Sequence, residues 1–216
     1  MTEYQPTASE LFSFCNGMHQ MYLYAREINP DLVLFPLRGA QPFAASYTKI
    51  AALKEEPTPD FLLLPLGTCT DIERKVLRGL TKPEKERVVE RNLDVYFAAK
   101  PSTRRVLLVD EVMNGGTILE HHHLVSKYLQ ERYSDSELRT CGIENGSHEP
   151  RGRYKNRAAK HGFYRVRVDT LFVMDREQFL PKVRLNGDFS VEIEEGKLEA
   201  IMEHVERNYN QIFGVN

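Results

Sequence analysis

The feature that most constrains this chain is a series of short, apolar runs separated by helical patterns. DLVLF (31–35), FLLLPL (61–66) and VLLV (106–109) are nearly continuous hydrophobic stretches, each followed closely by a turn residue, a glycine or an acid. LRTCGIE (138–144) and VDTLFVM (168–174) have a similar character. Runs this short read as strands buried on both faces. The intervals carry helix signals. Thr7 and Glu10 have capping-box spacing, and Leu11, Cys15, Met18, Met21, Tyr22, Ala25 and Ile28 then recur at helical period until Asn29-Pro30. Pro42 takes a first-turn position for a helix to Leu53. Thr81 and Glu84 open a polar helix striped by Val88, Val89, Leu93 and Phe97. Thr117–Tyr133 is a further helix, and Lys197–Phe213 is amphipathic, with Leu198, Ile201, Met202, Val205 and Ile212 on one side. The alternation predicts an α/β fold, a mainly parallel twisted sheet flanked by helices. In such sheets ligands bind beyond the carboxyl ends of the strands.

At 216 residues the chain suits one domain, 1–216, with a core of about 31–175. A helix at 1–30 and a segment at 180–216 would be elaborations or a hood. Lys and Arg number 29 against 31 Asp and Glu, so no global charge draws the chain to nucleic acid or an acidic membrane. The three cysteines, at 15, 69 and 141, form neither a disulfide framework nor a zinc-site spacing. No stretch has the roughly 20 apolar residues a membrane span needs. MTEYQPTASE has neither the basic start nor the apolar run of a secretory signal. A reducing, cytoplasmic setting is the expectation.

The chemistry concentrates in VLLVDEVMNGGT (106–117). A buried strand delivers Asp110 and Glu111 at its carboxyl end, and two glycines then open a helix. Carboxylates there can accept hydrogen bonds from sugar hydroxyls or hold a hydrated Mg²⁺. Glycines let backbone N–H groups approach a phosphate, and a helix N-terminus adds donors and partial positive charge. The stretch thus suits a ribose 5-phosphate group. A Walker B strand would need a GxxxxGK[ST] loop, which is absent, and Gly115-Gly116 does not make a G-x-G-x-x-G fingerprint. Thr117 and Glu120 also have capping-box spacing, so Thr117 has a purely structural alternative.

VLLVDEVMNGGT resembles the phosphoribosyl pyrophosphate-binding motif of type I phosphoribosyltransferases, and LFPLRGAQPFA (34–44) resembles that family's pyrophosphate loop. The two occur in the family's order. The resemblance covers roughly residues 31 to 145, with 168–175 as a final strand. It implies that Arg38 and Gly39 lie against the pyrophosphate. Asp110 and Glu111 would bind the ribose hydroxyls, and Asn114, Gly115, Gly116 and Thr117 would cradle the 5-phosphate. Mg²⁺ would arrive with the substrate near Asp110 and Glu111. It further implies a homodimer, and transfer of the sugar to a nitrogenous acceptor with release of pyrophosphate. The second acid here is Glu where Asp is usual, and the loop holds fewer hydroxyl residues. Asn114 stands where some purine-salvage members have an acid, and an amide cannot serve as a base.

Residues 151–167 hold seven Lys or Arg and no acid, interleaved with Tyr154, Phe163 and Tyr164. They read as a solvated loop or as a contact for nucleic acid or a protein. Seven acids in 188–206 could neutralise them. His121-His122-His123 cannot all face one metal, which leaves a surface or partly packed role. Arg74, Lys75, Arg78 and Lys82 fall where the family has a mobile loop, and Asp175 near its base site. Two rivals remain: a non-catalytic nucleotide sensor on the same fold, and a nucleotide or sugar-pyrophosphate hydrolase.

Overall fold

A computed structural model describes residues 6–37, 39–71, 76–112, 115–146, 152–169, 182–185, 191–194 and 198–213. The chain order is α1 (Ala8–Ile28), β1 (Leu32–Pro36), α2 (Gln41–Leu53), β2 (Asp60–Leu64), β3 (Thr68–Asp71), β4 (Val76–Gly79) and α3 (Lys82–Ala99). It continues with β5 (Arg105–Val112), α4 (Gly116–Arg132), β6 (Glu137–Asn145), α5 (Gly152–Lys160) and β7 (Tyr164–Val168). The chain closes with β8 (Lys182–Leu185), β9 (Val191–Glu194) and α6 (Glu199–Phe213).

Five strands form a sheet in the order β2-β1-β5-β6-β7, and every pairing in it is parallel. Strand alternation sorts the core. Val33, Phe35, Leu107, Val109, Cys141, Ile143, Val166 and Val168 face one way, against α1, α2 and α6. Leu32, Leu34, Leu64, Val106 and Leu108 face the other way, against α3 and α4. Buried on both faces, the central strands need the continuous apolar sequence they have. No helix among the described residues is long and apolar enough to cross a membrane.

α1 begins as its sequence dictates. The Glu10 carboxylate accepts the Thr7 N–H at 2.7 Å, and Thr7 Oγ1 accepts the Glu10 N–H at 3.3 Å. Its C-cap is Asn29 in the left-handed region, at φ 50°. α1 packs on β7 of the sheet, and α6 packs on α1 and α2, within one buried cluster. His19 Nδ1 meets the Tyr209 hydroxyl at 2.5 Å between them.

A second, four-stranded sheet has the order β4-β3-β8-β9. It follows the carboxyl end of β2, and Val183 of β8 is buried with Leu37, Leu64, Leu66 and Leu80. Of the segment 180–216, β8 and β9 join this sheet, and α6 does not.

The basic stretch differs from its expectation as a loop. It folds into helix α5 and edge strand β7, with Tyr154 and Ala158 buried together with Val112, Ile118 and Phe163. An edge strand forms from YRVRV, in register from Cys141↔Tyr164 to Asn145↔Val168. The strand expected at 168–174 lies, beyond Asp169, outside the described residues. Residues 170–181, including Asp175, lie outside the described residues, as do Arg74 and Lys75. Arg165 of the basic stretch pairs with Glu144 of β6, and Glu206 of the acidic stretch with Lys49 of α2.

Candidate ligand-binding site

The strand order reverses direction between β1 and β5. From β1 the chain crosses by α2 to β2 on one side; from β5 it crosses by α4 to β6 on the other. In sheets of this order a crevice lies where the two connections part, beyond the carboxyl ends of those strands. β1 and β5 run in register from Leu32↔Val106 to Leu34↔Leu108, so the turn after Pro36 and the residues after Asp110 leave the sheet side by side. The two sequence motifs, far apart in the chain, are neighbours in space.

The turn after β1 is tied down by backbone bonds. The Leu37 N–H donates to the Leu64 carbonyl at 2.6 Å, and the Ala40 N–H to the Pro36 carbonyl at 3.1 Å. Gly39 is buried within it. Arg38 and Asn114 lie outside the described residues.

Helix starts along this edge differ from one another. α1 and α3 have capping boxes and an acid in the first turn. α2 and α4, which open at the crevice, have no side-chain cap and no acid in the first turn. Each leaves its partial positive charge facing whatever occupies the crevice. Gly115 is the N-cap of α4, at φ 83°, a conformation suited to glycine. Gly116 and Thr117 are exposed in the first turn. Because the helix starts at Gly116, Thr117 lies inside it, and the capping role open to it from sequence is not realised. Glu120 instead pairs with Lys85 of α3 at 2.7 Å.

Gly115 has a second reason to be glycine. A Cβ there would lie 2.2 Å from the Tyr154 ring, and one at Gly142 would lie 2.7 Å from the Tyr154 hydroxyl. Tyr154 thereby locks α5 over the loop. Burial, reinforced by the neighbouring Glu144 carboxylate, pushes its phenol pKa well up.

The acid pair is split. Asp110 is 2% exposed, and its Oδ2 lies 2.7 Å from His121 Nδ1, itself buried. Asp110 Oδ1 accepts the Glu111 N–H at 2.8 Å. Glu111 is intermediate in exposure, with its Oε2 buried. The histidine triplet is correspondingly uneven: His121 is buried, His122 half-buried and His123 exposed. The expectation of a surface or partly packed triplet misses His121. Its signal was its place in the second turn of α4, on the side turned to Asp110. His122 Nδ1 meets Thr140 Oγ1 at 2.9 Å, and burial, with His161 and His123 nearby, lowers its pKa to about 4.

No group of three or more His, Cys, Asp or Glu among the described residues could hold a metal ion. One carboxylate at the crevice, Glu111, fits a Mg²⁺ that travels with a diphosphate, since such ions keep most of their water and need few protein ligands.

A cavity of about 730 Å³ opens at the opposite, amino end of the sheet. Its acids are already engaged. Glu56 pairs with Arg26 at 2.9 Å, Asp60 accepts the Tyr96 hydroxyl at 2.8 Å, and Asp31 accepts the Arg104 and Arg105 N–H groups at 2.8 Å each. These bonds fasten the strand starts to one another, so the carboxyl ends of β1 and β5 are the candidate site.

No family model and no curated protein matches the chain. Among solved structures, a crystal structure of orotate phosphoribosyltransferase from Francisella tularensis aligns over 95% of this chain and 78% of its own, at 14% identity and a TM-score of 0.37. At that score the likeness carries no argument. What the strand order itself shows is a five-stranded parallel α/β sheet with helices on both faces.

Proposed function

We propose that the crevice binds a phosphoribosyl group and that the protein is an Mg²⁺-dependent transferase. It would move that group from phosphoribosyl pyrophosphate to a nitrogenous acceptor. One observation carries this reading: two acid-free helix N-termini whose cap residues make no side-chain cap bond flank a single partly buried acid, Glu111, at the point where strand order reverses. Anions favour such termini and hydroxyls favour such a carboxylate. α4 with Gly115, Gly116 and Thr117 would take the 5-phosphate. The turn at Gly39 and the start of α2 would take the pyrophosphate, with Arg38 beside it and Asn114 on the phosphate side. Glu111 would accept the ribose hydroxyls. Mg²⁺ enters as part of the substrate and offsets the charge of the leaving pyrophosphate. The chain's share of catalysis is then orientation and electrostatic support of a positively charged sugar.

A second reading, a nucleotide sensor without turnover, draws on the burial of Asp110, which leaves one acid rather than two at the crevice. It also draws on Arg157 and Lys160, exposed on α5 where a polyanion could reach them. Calorimetric titration with phosphoribosyl pyrophosphate and Mg²⁺, then a nucleobase screen for pyrophosphate release, separates the two. Glu111→Gln is expected to weaken binding by about tenfold or more, the worth of a charged hydrogen bond. Binding with no release for any base would favour the sensor, and no binding would sink both.

A further inference from the structure

Asp110 and Glu111 are adjacent in sequence but do different work. On a strand they point to opposite faces, and Asp110 points toward α4, where His121 arrives. Both Asp110 oxygens are taken, Oδ2 by His121 Nδ1 and Oδ1 by the Glu111 N–H. The side chains of His121 and Asp110 are 2% and 3% exposed, so no ligand in the crevice reaches this carboxylate.

We infer that His121, acting through Asp110, is the positioning residue for Glu111, and that Glu111 alone of the acid pair meets a sugar ligand. This rests on the reading of the crevice given above. The chain of contacts is short. The His121 Nδ1–H donates to Asp110, which accepts the backbone N–H of Glu111 and so fixes the peptide from which the Glu111 side chain projects. A carboxylate that orients its neighbour through a second hydrogen-bonded group is the usual way an outer contact tunes an inner one.

His121 is costly at this place. With Nδ1 donating to Asp110, its Nε2 is left buried without a hydrogen-bond partner among the described residues. Leaving such an atom unsatisfied is unfavourable, and an aliphatic side chain would fill the space without that loss. The histidine is therefore explained by the bond its Nδ1 makes, not by packing.

The test compares four variants of the full chain with the wild type. Each is titrated calorimetrically with phosphoribosyl pyrophosphate and Mg²⁺, well below a melting temperature measured for that variant. Glu111→Gln is expected to bind about tenfold or more weakly. Asp110→Asn keeps an oxygen for the Glu111 N–H and an amide N–H for the other histidine tautomer. It removes charge at fixed geometry and is expected to lose less than about threefold. His121→Leu breaks the relay and is expected to weaken binding by about tenfold, as outer contacts do elsewhere. His121→Asn, whose short amide can donate from near the Nδ1 position, is expected to recover affinity to within about threefold of wild type. A role confined to stability would lower the melting temperature of His121→Leu without changing its affinity, and that result overturns the inference. So does an Asp110→Asn loss as large as that of Glu111→Gln, because Asp110 would then touch the ligand. If His121→Leu does not fold, the two asparagine variants decide. A wild type that binds nothing removes the reading of the crevice itself, a result distinct from either of the others.

Discussion

Gly115 shows how much one residue can carry. It holds a positive φ and lies under the Tyr154 ring, so two penalties fall on any side chain there. Gly162 makes a natural control: its φ is also positive, at 65°, but nothing lies within 4 Å of a Cβ built on it. Gly162→Ala is expected to cost about 1–2 kcal/mol for backbone conformation alone. Gly115→Ala is expected to cost about 2–4 kcal/mol, because the ring must also move. Urea denaturation of both variants checks the difference. From sequence, Gly115 was legible as a loop glycine and Glu111 as a crevice acid. The Tyr154 contact was not, because it joins residues whose proximity depends on α5 packing beside α4. Asp110 was legible as a strand-end acid but not as a buried one, since burial depended on which face α4 would cover.

At the scale of elements, continuous apolar runs announced β1, β2, β5 and β6, and capping residues announced α1 and α3. β7 escaped because an edge strand exposes every second residue. Arg165 and Arg167 alternate with Tyr164, Val166 and Val168. β3 and β4 escaped for another reason: TCTD and VLRG are short and lack an apolar run, and one partner, β8, comes far later in the chain. Where α4, β6 and the turn after α5 meet, His122 makes their packing sensitive to pH. Its pKa is about 4 in the folded chain and near 6.5 when unfolded. The unfolded chain therefore takes up the proton first as pH falls. The stability present above about pH 6.5 is lost progressively down to about pH 4. Burial lowers His19 and His204 in the same direction. Wild type is expected to lose more stability than His122→Phe between pH 7.5 and pH 5, as read from urea midpoints at each pH, with a residual loss in the variant from the other two histidines.

At the scale of the whole molecule, α1 and α6 belong to one buried cluster, in which Phe14, Met18, Ile201, Val205 and Tyr209 are at most 1% exposed. A chain ending before Leu198 would bare that cluster. It is expected to bind a hydrophobic dye and to lose its cooperative melting transition, whereas a chain whose α6 were a detachable elaboration would melt as before. The overall class was legible because a parallel sheet buried on both faces writes itself as apolar runs. The placement of the small sheet was not, since it depends on one long-range pairing.

That pairing has a consequence for how the chain is made. During synthesis β3 and β4 emerge long before β8, and α1 long before the α6 that covers it. At ~5–20 residues per second, the hairpin and the first helix wait on the order of ten seconds for their partners. For that interval the nascent chain exposes the apolar side of α1 and an unpaired edge of β3. The polar residues of β3 make that edge a poor template for aggregation, while Phe14, Met18 and Met21 make α1 the segment for which a ribosome-bound chaperone would be most useful.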